Sequence, residues 1–359
     1  VPAGAYVLRA ELQGFVQPVP QAIEVAAGRT TTAQVRMTLD AVREEVRVVG
    51  SAPRDSLEAP RVAESHARDV GEVLASMPGL WKVRRGGIAN DVVLRGYQGD
   101  NLNVTIDGVR LYGACPNNMD HTAFHVDFAE VDRVEVEKGP FELAHQGALG
   151  GAVNIVTRRP SPGFHATARV STGSFGYVNP SVTVSVGGPR VTLLGGYSYR
   201  AADSYTDGSG QSVTAAANYK AGIEGRRAFE VQTGWTRLDV SPVESHVASL
   251  TYTRQDAGLV LYPYLQMDGL SDTADRVNAS YSYSRGIGPV RAVRAQAYYT
   301  RVDHWMTDEL RASSQGMARS YSMATRAGTD TRGTKVEGAL SGGTVGAEWY
   351  QRGWTGATE

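Results

Sequence analysis

One short segment of the sequence carries side chains that could bind a metal. Cys115 is the only cysteine among 359 residues, and Met119 follows it four positions later. A thiolate and a thioether are soft ligands that suit a soft ion such as Cu(I). A lone cysteine is more often a small, buried apolar side chain, so the spacing alone leaves both interpretations open. His121 and His125 follow closely, and the pattern leaves open whether they assist capture or are solvated loop residues.

The composition limits the classes of protein that remain. Lys and Arg together number 36 and Asp and Glu 37, so the charge balance indicates neither a nucleic-acid partner nor a polybasic membrane anchor. One cysteine excludes a disulfide framework. No run reaches the roughly 18 apolar residues of a transmembrane helix, although strands of a membrane barrel would not show such a run. The 41 Gly and 17 Tyr, beside only 7 Phe, favour a β-rich chain with many turns.

Segments with different patterns divide the sequence. Residues 1–42 are predicted to form a small β module, and residues 43–60 a linker. The strands predicted in the first segment are residues 5–10, 22–25 and 32–37. Residues 61–160 mix helix and strand in an α+β domain, with a helix predicted over 70–77 that stops at Pro78. The chain lacks an initiator Met and stops after a strand-like run, so we expect a piece of a longer protein.

Residues 161–359 alternate between apolar and polar side chains. Between residues 277 and 284 every odd position is apolar or aromatic and every even position is polar. Turn sequences such as Gly187-Gly188-Pro189 separate ten to twelve such runs. Alternation over many strands predicts a transmembrane β-barrel, and a soluble β-sandwich would show the same period. The outward residues are small or aromatic rather than rich in Ile and Leu, which favours the barrel.

Several short motifs occur in order within the α+β segment. They are Leu94-Arg95-Gly96-Tyr97, Ile106-Asp107-Gly108-Val109-Arg110, residues 131–140 and residues 147–157. Followed by a barrel pattern, they resemble the plug domain of TonB-dependent outer-membrane receptors. The resemblance implies a mainly β fold, with an α+β plug and the first half of a 22-stranded antiparallel transmembrane β-barrel. Residues 4–15 resemble part of a carboxypeptidase-regulatory-like β-sandwich, and residues 44–50 lie where the TonB box would be.

Three further matches narrow the resemblance to the copper-receptor branch of this superfamily (OprC/NosA type). That branch carries Cys-Pro-Asn-x-Met-Asp in the plug, which matches residues 115–120, and His-x-Met on a barrel strand, which matches His304-Trp305-Met306. Residues 261–268 look like a further run of the branch and include Met267, whose role stays open. The resemblance implies a metal site formed by Cys115, Met119, His304 and Met306.

The implied function is transport rather than catalysis. A receptor of this branch would capture and import a copper ion, expected as Cu(I), across the bacterial outer membrane, with its N-terminal domain in the periplasm. Its partners would be outer-membrane lipid and the TonB-ExbB-ExbD energy-coupling complex, and no nucleic acid. A receptor for a siderophore or another metal chelate is the first alternative, and a surface adhesion or structural β-protein is the second. The sequence shows no catalytic triad, phosphate loop or zinc-protease helix, so we expect no enzyme.

Overall fold

The computed structural model of this chain divides into two compact units, residues 1–51 and 52–359. It describes residues 1–12, 15–39, 54–65, 67–141, 147, 149–314 and 320–359. The proposed TonB box at residues 44–50, and the predicted linker as far as residue 53, lie outside the described residues.

The N-terminal unit is built from short antiparallel pairs. Strand β1 (Gly4–Leu8) pairs with β3 (Gln21–Val25), and β2 (Phe15–Val16) pairs with β4 (Thr38–Leu39). The strand predicted over residues 32–37 does not form, because no neighbouring strand among the described residues pairs with that segment.

The plug region contains a four-stranded sheet, a hairpin and short helices. Its elements are β5 (Arg54–Glu58), α1 (Ala59–Glu64), α2 (Val70–Leu74), β6 (Leu80–Val83), β7 (Asp91–Leu94), β8 (Leu102–Ile106), β9 (Val131–Lys138) and β10 (Gly151–Thr157), with 3₁₀ turns at Gly99–Asn101, Thr122–His125 and Phe128–Glu130. The sheet order is β5-β9-β10-β8, and β6 pairs with β7. Strand β5 lies where the sequence predicted linker; it pairs with β9 and buries Leu57 in the plug core.

Helix α2 is shorter than the sequence predicted. It starts at the N-cap Asp69, whose carboxylate accepts a hydrogen bond from the Glu72 N–H at 2.8 Å. It ends at Leu74, and the Met77 N–H then bonds to the Leu74 carbonyl in a tighter i to i+3 turn. Pro78 cannot continue the helix, so the predicted last turn over residues 75–77 closes differently. The buried face of α2 packs on the plug core together with strands β8 to β10.

The third region is one antiparallel sheet in which each strand pairs with the next along the chain. Its strands are β11 (Gly163–Gly173), β12 (Tyr177–Gly187), β13 (Val191–Asp203), β14 (Arg227–Val240), β15 (His246–Val260), β16 (Asp268–Tyr283), β17 (Ala292–Thr307), β18 (Ala324–Leu340) and β19 (Gly343–Thr358), and helix α3 (Val213–Ala216) lies between β13 and β14. The described residues thus hold nine strands in this sheet, not ten to twelve. The strands are long, and β18 reaches 17 residues. Nine strands therefore occupy the stretch of chain in which the alternation pattern predicted ten to twelve.

Alternation along these strands sorts side chains to opposite faces of the sheet. In β17 the even positions from Gln296 to Met306 are buried, whereas Tyr299, Arg301 and Asp303 are exposed. The buried face covers the plug, and the exposed face carries apolar and aromatic side chains such as Leu250. No helix among the described residues is long and apolar enough to cross a membrane.

Candidate metal centre

Strand β17 contributes two inward side chains to the candidate site. His304 and Met306 are 3% and 2% exposed and point to the same face, because residues two apart on a strand do so. Trp305 points to the other face, where the Arg326 guanidinium lies 4.3 Å from its ring centre. This is the arrangement that the His-x-Met spacing predicted for a strand.

The plug contributes the sulfur pair from a turn rather than from a helix. The Asn118 N–H bonds to the Cys115 carbonyl at 3.0 Å, which closes a four-residue turn with Pro116 at its second position. Asn118 has a φ of +55°, which a right-handed helix does not allow. Cys115 and Met119 therefore do not share a helical turn, although the turn keeps both side chains in one buried cluster.

Asp120 fixes the conformation of this loop. Its carboxylate accepts the backbone N–H groups of Ala114 and Cys115, the latter at 3.1 Å from both oxygens. The chain reverses so tightly here that a Cβ atom at Gly113 would lie 2.5 Å from the Asp120 carbonyl oxygen. Asp120 thus acts mainly through local hydrogen bonds.

Exchange of Gly113 for alanine should therefore disturb the loop. The new Cβ would contact backbone and carboxylate atoms that have no room to move, so we expect a local loss of about 1–3 kcal/mol. Hydrogen exchange of the amides in residues 113–121 measures the effect. Gly234→Ala is the matched control, because a Cβ at Gly234 meets nothing within 4 Å. Equal protection of the loop in both variants would contradict this account.

The plug loop (residues 113–121) and strand β17 meet at two sulfur atoms, those of Cys115 and Met306. Cys115 Sγ lies 3.6 Å from Met306 Sδ, and Met119 is fully buried in the same cluster. A nitrogen of His304 lies within 4.8 Å of the Asp120 carboxylate that binds the Cys115 N–H. The His304 Nε2 atom is buried without a hydrogen-bond partner in the described part of the chain. Met267 packs against this cluster and is partly buried. The four residues named from the sequence are thus brought to one place between two regions of the chain.

A carboxylate that the sequence did not reveal lies beside the four. Asp272 on β16 is directly opposite His304 in the β16–β17 register, and its Oδ2 atom is 2.8 Å from His304 Nδ1. One nitrogen of His304 and one oxygen each of Asp120 and Asp272 lie within 4.8 Å of one another. The site therefore combines soft sulfur donors with an imidazole and buried negative charge, an environment that favours a cation.

The two histidines that follow the sulfur pair are buried rather than solvated. His121 Nε2 is 2.9 Å from the Asn90 carbonyl oxygen, and His125 Nε2 is 2.9 Å from the Asp120 carbonyl oxygen. Burial lowers the pKa of His125, although the carboxylates of Asp272 and Asp120 oppose this. A neutral His125 donates its Nε2 proton to the Asp120 carbonyl and so stabilises the loop backbone at residue 120.

Two aromatic side chains of the barrel region also hold the plug loop. Trp354 donates its indole N–H to the Ala114 carbonyl at 2.8 Å, and Tyr262 donates its hydroxyl to the Met119 carbonyl at 3.2 Å. These contacts bind the loop backbone on either side of the turn. No sequence pattern indicates these two contacts, since both depend on how distant segments meet.

Buried ion pairs join the plug to the sheet away from the site. Arg276 donates to both carboxylate oxygens of Glu130, at 2.7 and 2.8 Å, and Arg200 lies 2.9 Å from Asp127. Burial raises the pKa of Glu130, and the Arg276 charge opposes that shift. Such pairs require close geometry to offset their desolvation, so they fix how the plug is seated against the strands.

Comparison with known families identifies the plug. The profile of the TonB-dependent Receptor Plug Domain matches residues 50–152. The chain has the plug domain and the fold of a TonB-dependent receptor. The match to the plug profile indicates an outer-membrane location, and the buried face of the nine-stranded sheet covers the plug.

Solved structures of TonB-dependent receptors share this fold. The copper transporter OprC is similar over 85% of this chain and 47% of its own, with a TM-score of 0.75 and 23% identity. The hemophore receptor HasR from Serratia marcescens matches 85% of this chain and 45% of its own, with a TM-score of 0.64 and 17% identity. The siderophore receptor PirA from Acinetobacter baumannii matches 83% and 48%, with a TM-score of 0.59 and 15% identity. The chain spans about half the length of these receptors.

Proposed function

We propose that this receptor takes up copper, as Cu(I), through a site formed by Cys115 and Met119 of the plug and His304 and Met306 of β17. The observation that carries the proposal is the 3.6 Å separation between Cys115 Sγ and Met306 Sδ. Two sulfur ligands on one ion, each about 2.3 Å from it in a tetrahedral arrangement, would lie roughly 3.8 Å apart. The sulfur atoms are therefore already spaced as ligands of a single ion.

The donor set supports copper over harder or borderline ions. One thiolate, two thioethers and one imidazole form a soft set, and soft ligands select Cu(I). Zinc sites in proteins use Cys, His and carboxylate ligands, so two thioethers would serve zinc poorly. The similarity to the copper transporter OprC is consistent with this choice.

Transport would follow from the division of the ligands between two regions. An ion held by the plug loop and by β17 can pass to the periplasmic side only if the plug moves relative to the strand. The buried pairs at Glu130 and Asp127 oppose that movement, so release needs an external source of energy. We propose the TonB-ExbB-ExbD complex as that source, acting through the N-terminal part of the receptor, as in the family that the plug belongs to.

A receptor for a siderophore or another chelate is the competing proposal, and HasR and PirA show that this fold serves such ligands. A chelate would bind to a broad exposed surface, whereas the four proposed ligands converge in a buried cluster. Cys115, the most exposed of them, is only 7% exposed. The site therefore supports a bare ion better than a bulky complex.

Metal analysis of the full-length receptor, purified in detergent after exposure to Cu(I), tests the proposal. We expect about one copper per chain in the wild type and little in Met119→Leu, which removes a thioether but nearly conserves volume. Met77→Leu makes the same exchange in the plug core, away from the site, and should retain copper. Iron without copper in the wild type, or equal copper in both variants, would overturn the assignment.

A further inference from the structure

Asp272 differs from the other buried carboxylates near the site in what it binds. Asp120 accepts backbone N–H groups of its own loop, and Asp268 accepts from Arg311, Tyr219 and the Tyr262 N–H. Asp272 is 2% exposed and its one hydrogen bond in the described part of the chain is to His304 Nδ1. A carboxylate whose one hydrogen bond is to an imidazole acts mainly through that imidazole.

This hydrogen bond determines which nitrogen of His304 can bind a metal. The Asp272 carboxylate only accepts, so Nδ1 carries the proton and donates it across 2.8 Å. When His304 is neutral, its lone pair is therefore on Nε2, which is buried and has no hydrogen-bond partner among the described residues. The remaining nitrogen is thus left ready to bind an ion.

The second oxygen of Asp272 shows that the carboxylate is not held for structural reasons. Oδ1 has no hydrogen bond in the described part of the chain, and the nearest basic atom, His125 Nδ1, lies 3.5 Å away. His125 places its proton on Nε2, facing the Asp120 carbonyl, so it does not satisfy Oδ1. Burial of a half-satisfied carboxylate costs free energy, which a purely structural position would avoid by using an amide or apolar residue.

We propose that Asp272 is a positioning residue that orients His304 and fixes its tautomer, so that Nε2 binds the transported ion. This inference rests on the proposed function for the identity of the ion. A carboxylate behind a histidine ligand raises the basicity of the ligating nitrogen, and removal of such a partner typically lowers metal affinity about 10–100-fold.

The test compares Asp272→Ala and Asp272→Asn in the full-length receptor by Cu(I) competition against a chelator of known affinity. Alanine removes the acceptor, so we expect affinity to fall about 10–100-fold. Asparagine keeps an oxygen that can accept from Nδ1–H, so it should recover part of that loss. Asp303→Ala is the matched control on the same sheet, since Asp303 lies next to His304 on the outer face and pairs with Arg301.

Two spectroscopic readouts separate positioning from general stability. X-ray absorption should show a nitrogen neighbour of copper in the wild type and in Asp272→Asn, and a weakened one in Asp272→Ala. In the metal-free receptor, at a pH where His304 is neutral, ¹⁵N NMR of labelled histidine should show His304 as the Nδ1–H tautomer, and a mixture in Asp272→Ala. An unchanged tautomer or an unchanged nitrogen neighbour in Asp272→Ala overturns the inference. If the wild type binds no copper but Asp272→Ala still changes the tautomer of His304, the proposed function is overturned and the positioning role is supported.

Discussion

Exchange of Cys115 for serine should lower the affinity of the receptor for Cu(I) by more than about a hundredfold. Loss of a carboxylate behind a histidine ligand typically costs about 10–100-fold, and loss of the thiolate removes a ligand outright. The thiolate is also the only anionic sulfur in the set, because the chain has one cysteine. A serine hydroxyl is a hard, neutral donor that suits Cu(I) poorly.

The serine variant should keep the shape of the loop, which makes the result interpretable. The bonds from Asp120 reach the backbone N–H of residue 115 rather than its side chain, and the turn closes through the carbonyl of the same residue. Competition titration in detergent measures the affinity, and hydrogen exchange of residues 113–121 checks the loop. Wild-type affinity in Cys115→Ser, with the loop intact, would show that the thiolate is not a ligand.

Exchange of Arg311 for methionine should produce a large loss of stability where β15 ends and β16 begins. The guanidinium donates to both oxygens of Asp268 at 2.8 and 3.0 Å, and to the carbonyls of Tyr262 and Ala217. It also lies 3.9 Å from the centre of the Tyr219 ring. Removing one partner of a buried pair leaves the other charge uncompensated, so we expect a loss of about 3–5 kcal/mol.

The effect of this variant should reach the candidate site through Tyr262. Its carbonyl is bound by Arg311, and its hydroxyl donates to the Met119 carbonyl. We therefore expect faster hydrogen exchange in residues 217–226 and 261–267, and faster dissociation of copper. Arg301→Met is the control, because the Arg301–Asp303 pair is exposed and such pairs contribute at most about 1 kcal/mol. Equal exchange in both variants would show that Arg311 does not hold these loops together.

Local patterns predicted much of the fold. Period-two alternation identified the barrel strands because most of them have one face toward the plug and one away from it, as β17 shows from Gln296 to Met306. Strand number was overestimated, since alternation marks the existence of a strand better than its ends. The predicted strand at residues 32–37 failed for a different reason: a strand forms only when a partner is present, and the sequence of the segment does not specify one.

The candidate site was predictable where its residues are close in sequence. The Cys115 and Met119 pair and the His304 and Met306 pair each depend on short spacing, and the family resemblance linked the two. Asp272 was missed because its position opposite His304 depends on strand register, which a single sequence does not fix. The contacts of Tyr262 and Trp354 with the plug loop were missed because they depend on how distant segments meet.

The division of the ligands between plug and strand has a mechanical consequence. A copper ion bound at once to Cys115 and Met306 would act as a reversible cross-link between the two regions whose sulfur atoms lie 3.6 Å apart. By mass action, an ion at a hundred times its dissociation constant adds about 2.7 kcal/mol to the state that binds it. The loaded plug would then be harder to displace than the empty one. Any pull strong enough to move it would also break the bonds that hold the cargo, so unseating and unloading would be one event.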